Sequence, residues 1–210
     1  MKSNKVIVIT GSEGRVGSYV SSRFSEEGWT VAGLDIKEKN ESSIHTHYVC
    51  DVRDYKAVEK TIQKIKESHG EIAVLFTAAG VGITQEFEET DIQEWVDVIE
   101  TILGGTANLC QAVAPGMVEK KDGKIIILSP DYGWVEKESI MDATAAGTLH
   151  GFAKSFGLEV AESSVMVNAL SPNIPFSLKD TADMVYFLAE EDYYTTAQVI
   201  SINGQRGDVK

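Results

Sequence analysis

Seven short apolar runs, rich in β-branched residues, punctuate this chain, and a helix-length segment separates most of them; few folds can accept that alternation. The runs cover residues 6–9, 30–34, 48–50, 72–76, 124–128, 165–170 and 198–202. Several are apolar throughout, not at every second position, which marks strands buried on both faces. Between them lie segments with helical spacing. Val16, Val20 and Phe24 share one face over 15–27, and Ala57, Val58, Thr61, Ile62 and Ile65 recur at helical intervals. A long helix begins at Trp95, Val98, Ile99 and Ile102 and continues through Leu109 to Val113; further helices cover 144–161 and 181–189. Strands joined by helices imply right-handed crossovers and a parallel sheet. The expectation is a doubly wound α/β architecture of about seven strands with helices on both faces.

Neither a proline-, glycine- or serine-rich linker nor a repeat divides the 210 residues, so one domain spanning 1–210 is expected. A formal net charge of −13 with no basic stripe speaks against nucleic acid as a partner. No apolar run approaches a bilayer span and no signal-peptide pattern is visible, which predicts a cytoplasmic protein without a membrane partner. Cys50 and Cys110 lie far apart and are expected to be reduced and buried.

The first run ends abruptly at glycines: K-V-I-V-I-T-G-S-E-G-R-V-G over residues 5–17. Strand, glycine turn and helix in that order bring backbone N–H groups and the positive end of a helix dipole to one point, which suits a pyrophosphate. The same turn also serves as a plain strand-to-helix joint. Asp35 adds to the turn, because it closes the second strand roughly 20 residues beyond it, where a carboxylate can accept both hydroxyls of an adenosine ribose; taken alone it reads equally as a solvated loop aspartate. A carboxylate there repels a 2′-phosphate. NAD is therefore expected in preference to NADP, held in a Rossmann-type fold.

These residues and several later motifs resemble the short-chain dehydrogenase/reductase family over nearly the whole chain. The matches are T-G-S-E-G-R-V-G at 10–17, D-V at 51–52, T-A-A-G at 77–80 and G-K-I-I-I-L-S at 123–129. L-H-G-F-A-K-S-F at 149–156, V-N-A-L-S-P-N at 167–173 and Q-V-I-S-I-N-G at 198–204 complete them. The spacing of Gly11, Gly14 and Gly17 resembles that of extended members and of dihydropteridine reductase; the family's usual turn would place its middle glycine at Arg15. The resemblance implies a cofactor site formed by Gly11, Ser12, Gly14, Arg15, Val16, Gly17, Asp35, Ile36, Asp51, Val52, Ala78, Ala79, Gly80 and Ser177.

The resemblance breaks where the chemistry belongs. The family uses a tyrosine as general acid/base and a lysine four residues later, yet ungapped alignment puts Asp142 and Ala146 there, and no Tyr-x-x-x-Lys occurs anywhere in the chain. The remaining two members of the family's tetrad, an asparagine and a serine, fall at Ile102 and Pro130. Ser129, Tyr132 and His150 are the available substitutes. Family members also carry a few tens of residues as a substrate lid after the sixth strand, where this chain has only S-P-N-I-P-F-S-L-K-D. His45 and His47 flank Thr46, but two histidines without a third ligand do not make a metal site, and no metal is expected.

Three readings follow. The chain is read foremost as an NAD(H)-binding member without ordinary dehydrogenase activity, a sensor, regulator or structural subunit. Alternatively, Asp142, Tyr132 or His150 carries relocated oxidoreductase chemistry. In a third reading the cofactor site is vestigial and the fold is an interaction module. By resemblance a homodimer is expected, through the helices near 95–113 and 144–161, with Ala143, Ala145, Ala146 and Gly147 permitting close approach.

Overall fold

Val6, Ile7, Val8 and Ile9 are each completely buried, as four consecutive apolar residues must be when a strand lies in mid-sheet with helices on either side. The computed structural model describes residues 5–41, 43–82, 86–130, 140–173, 176–190 and 194–202. These four residues form most of β1 (Val6–Thr10). Around it stand β2 (Thr30–Asp35), β3 (Thr46–Val49), β4 (Ile72–Thr77), β5 (Gly123–Leu128), β6 (Val165–Pro172) and β7 (Gln198–Ile202). Their order is β3-β2-β1-β4-β5-β6-β7, and all neighbours run parallel.

Alternate residues of β1 face opposite cores. Ile7 and Ile9 pack with Phe24 of α1 (Arg15–Glu26) and with Val185 and Leu188 of α6 (Leu178–Glu190). Val6 and Val8 belong to the opposite core. It takes in Ile62 of α2 (Tyr55–His69), Leu109 of α4 (Gly105–Lys120) and Leu149 of α5 (Ile140–Val160). Trp29 lies in the first of these cores, while Trp134 falls outside the described residues. Both cysteines are free and buried, and burial pushes the Cys110 thiol up to about 12. Among the described residues, no helix is long and apolar enough to cross a membrane.

Several boundaries differ from those expected. β3 covers Thr46–Val49, not 48–50, because it takes its register from Ala32–Asp35 of β2. α6 starts earlier than 181, since Ser177 Oγ accepts the Asp180 N–H at 3.1 Å and caps the first turn. The expected long helix is three pieces: α3 (Ile92–Ile99), a π turn at Glu100–Gly104, and α4. α3 opens on a capping box between Asp91 and Glu94. Ile102 sits on the π turn, so its direction does not follow from regular helical spacing.

Strands numbered beyond β4 continue to one side of β1, and β2 and β3 lie on the other. The chain thus reverses its winding between β1 and β4, and the loops leaving their C-terminal ends diverge to leave a crevice.

Candidate functional site in the crevice

The crevice is held open by small, specific contacts. Thr10, the last residue of β1, accepts the N–H groups of Ala78 and Ala79 on its hydroxyl at 3.0 and 3.1 Å, tying the turn to the end of β4. Gly11 follows with φ +64°, and a Cβ there would lie 2.6 Å from the Ala78 carbonyl oxygen. A Cβ on Gly17 would lie 2.1 Å from the Gly11 carbonyl oxygen, so only glycine lets α1 approach its own turn this closely. Gly14 donates to Gly11 O at 3.0 Å and is the residue from which α1 departs, without a side-chain cap. The Ser18 N–H bonds Gly14 O as the regular helical pattern begins, and the amides before it point out of the helix end.

Asp35 is buried at the end of β2. One carboxylate oxygen accepts the Glu13 N–H and the other the Lys37 N–H, both at 3.0 Å. Each oxygen therefore keeps lone-pair capacity toward the crevice. Asp51 is held by Arg53 through side-chain and backbone hydrogen bonds of 2.7–3.1 Å, which keep its carboxyl below the usual range. Gly11, Gly14, Asp35, Ile36, Asp51, Val52, Ala78, Ala79 and Gly80 all line one lobe, a cavity of about 520 Å³.

A second lobe, of about 360 Å³, lies beyond the turn and includes Arg15, Val16 and Gly17. Its far wall unites the four positions expected to have lost the tetrad: Ile102, Pro130, Asp142 and Ala146. Residues some forty positions apart thus converge on one apolar wall, in which Asp142 is buried. The remaining candidates do not line it. Ser12 is completely buried, the Ser129 hydroxyl donates inward to the Ala146 carbonyl at 2.8 Å, and Ser177 serves as the α6 cap. His150 lies one helical turn past Ala146 and does not line the lobe; Tyr132 falls outside the described residues. Only residues 173–177 separate β6 from α6.

Sequence reasoning missed Thr10, Arg53 and Glu13. The last has an unforeseen setting: its side chain is 1% exposed and lies beside His45 and His47, supplying the third group that the histidine pair lacked. Its position within a glycine turn offered no signal of this.

Residues 5–176 match the family described as short chain dehydrogenase. The 3-oxoacyl-(acyl-carrier-protein) reductase FabG of Thermotoga maritima is 27% identical over 238 residues, covering 95% of this chain and 96% of that protein. That alignment is longer than this chain of 210 residues, so the relative carries positions without counterparts here. Acetoacetyl-CoA reductase of Paracoccus denitrificans is 34% identical over 177 residues, 80% of this chain and 72% of that protein. Among solved structures, ElxO with NADP bound superposes with a TM-score of 0.88 at 24% identity, over 96% of this chain and 98% of that one. Fold, turn and matched span agree: the chain belongs to the short-chain dehydrogenase family.

Proposed function

We propose that this chain binds a nicotinamide dinucleotide in the crevice, NAD(H) ahead of NADP(H), and does not perform the family's ordinary ketone/alcohol hydride transfer. Its role is that of a sensor, regulatory or structural subunit. The observation that carries this reading is the wall of the second lobe. Among the described residues lining it there is no phenol, lysine ammonium or side-chain amide where family chemistry needs them; Asp142, Ala146, Ile102 and Pro130 stand there instead.

The binding half rests on the intact turn. Gly11 and Gly17 let the turn pack against Ala78 and α1 more closely than a Cβ allows, and the outward amides at the start of α1 suit a diphosphate. Asp35 faces the neighbouring lobe with lone pairs to spare for ribose hydroxyls and would repel a 2′-phosphate. ElxO holds NADP on the same fold, so the preference rests on Asp35 alone. A bound dinucleotide supplies or accepts a hydride; this chain's residues supply position and exclude water from only part of the site, given the short 173–177 connection. The whole chain is read as one lid-less domain, assembled as a homodimer. Its two free, buried thiols suit the reducing cytoplasm, where we place it.

The relatives favour a second reading. Two of them are a 3-oxoacyl-(acyl-carrier-protein) reductase and an acetoacetyl-CoA reductase, and Asp142 is a buried carboxyl in the cleft wall, a candidate for relocated proton transfer. One set of measurements separates the two. Calorimetric titration is expected to show NAD binding more tightly than NADP, with Asp35→Ala weakening NAD about tenfold through loss of charge-assisted bonds. Equal affinity for both dinucleotides, or binding of neither, overturns the cofactor assignment. With acetoacetyl-CoA and a panel of ketones and quinonoid pterins, NADH and NADPH oxidation is expected to stay far below about 1 s⁻¹. Turnover above that level which disappears in Asp142→Ala establishes relocated chemistry. Asp142→Tyr by itself is expected to remain inactive, because Ala146 still offers the phenol no cation and the dinucleotide ribose no anchor.

A further inference from the structure

His45 and His47 project from the strand entry on either side of Thr46, and Glu13 meets them from the glycine turn. The three side chains are 2%, 6% and 1% exposed, so all are withdrawn from bulk solvent. His45 Nε2 lies 3.1 Å and His47 Nδ1 3.4 Å from the same atom, Glu13 Oε1. These distances would suit hydrogen bonds, yet neither nitrogen makes one within the described residues: the rings are not aimed along the lines to the oxygen. Atoms this close that do not point at each other are free to converge on a shared point between them. Bonds of about 2.0–2.1 Å to a tetrahedral centre place neighbouring ligand atoms about 3.3 Å apart, matching the two contacts to Glu13 Oε1, and all three atoms lie within 4.8 Å of one another.

The surrounding bonds fix the donors. His47 Nε2 lies 2.9 Å from the Lys37 carbonyl oxygen, which can only accept, so that nitrogen carries a proton, and in the neutral ring Nδ1 presents its lone pair toward Glu13. A lone pair facing a buried carboxylate repels it unless a cation lies between. The other carboxylate oxygen, Oε2, accepts the Asn40 N–H at 2.9 Å, and the Ser43 hydroxyl straddles the carboxylate at 2.8 Å from Oε2 and 2.9 Å from Oε1; these bonds orient it as outer partners orient metal ligands. One divalent ion answers all three groups.

Room is made for the arrangement elsewhere in the fold. A Cβ on Gly33 would lie 2.2 Å from the His45 ring, so glycine in β2 is what admits the imidazole. A cavity of about 820 Å³ lined by Glu13 and His45, with Ser43 and Asn40 on its rim, offers an entry path and space for solvent to complete the coordination.

The geometry points to a divalent transition-metal site, of the kind zinc occupies, formed by Glu13, His45 and His47. Such an ion joins the glycine turn to the segment entering β3, and by binding the folded chain alone it stabilises it by mass action. The full chain, stripped with chelator, is titrated with Zn²⁺ by equilibrium dialysis and with Co²⁺ by visible absorption. One Zn²⁺ per chain is expected at micromolar free metal, together with a raised melting temperature. His47→Ala and Glu13→Gln are each expected to weaken binding at least about tenfold, while His69→Ala leaves it unchanged. Failure to bind either ion stoichiometrically, or undiminished binding by folded His47→Ala, overturns the site. The Co²⁺ spectrum tests it without any variant: nitrogen and oxygen donors produce d–d bands with no thiolate charge transfer, and a thiolate band would assign the metal to a cysteine instead.

Discussion

At the scale of single residues, the turn depends on atoms that are absent from glycine. Gly11 requires a left-handed backbone, and Gly17 requires a gap of a different kind, since a methyl there would meet a backbone carbonyl at 2.1 Å. A carbonyl at the foot of a helix cannot rotate away as a flexible side chain does. Gly17→Ala is therefore expected to destabilise the protein by about 3 kcal/mol or more, as overpacking joins the lost turn geometry; a lowered urea midpoint with unchanged slope checks it. Unchanged stability would mean that the turn relaxes freely and is not the preorganised cradle that dinucleotide binding needs. In the proposed reading Asp35 has two duties. Its bonds to the Glu13 and Lys37 N–H groups shape the turn, and its remaining lone pairs face the lobe.

Among the elements, α1 and α6 cover the same face of the sheet, and Arg23 joins them. It donates to Asp183 on α6 at 2.9 Å, pairs with Glu27 and lies 4.1 Å over the Tyr186 ring. Arg23→Ala is expected to cost about 1 kcal/mol near neutral pH, mostly from the cation–π and packing contacts, because the ion pairs are partly exposed. The pH dependence has a definite sign. Lys179, and then Arg23, hold the Asp183 carboxyl below its ordinary value of 3.8. Its contribution is complete above that value and is lost as pH falls through the lower folded one. The difference in denaturation free energy between native and Arg23→Ala proteins is expected to narrow below about pH 4 and stay constant from pH 5 to 8. A gap that widens on acidification would contradict this assignment.

For the whole molecule, association is the open consequence. Two of the small residues expected at a dimer seam, Ala145 and Ala146, are buried within the protomer instead, against α3 and the cleft. The outward stripe of α5 is Gly147, Gly151, Lys154 and Leu158, with Leu158 70% exposed and open space over both glycines. Removing a side chain of that size from water is worth about 1.5–3 kcal/mol, so a two-fold packing of α5 against a second copy gains at its end. Light scattering at tens of micromolar is expected to give a dimer mass, and Leu158→Glu to shift it toward monomer. A monomer for the native chain removes the dimer reading while leaving the crevice unaffected.

The strands and the glycine turn were legible in the sequence because each is a local statement, and the parallel sheet because helix-length segments alternate with the strands. A fully apolar run must be buried on both faces, and glycines after it permit the positive φ and close backbone approach of a tight turn. Asp35 was legible for a similar reason, as its place depends only on where the second strand ends. What the tertiary structure decided is direction and company. Nothing local says that the Ser129 hydroxyl turns inward to Ala146, or that Ile102 rides a π turn into the same wall as Asp142 and Pro130. Glu13 and the two histidines lie about thirty residues apart in the chain, and meet only because β2 pairs with β1 on one side and β3 on the other. Side-chain convergence across strands depends on sheet order and register, quantities set by the packing of the whole molecule and absent from the pattern of any one segment.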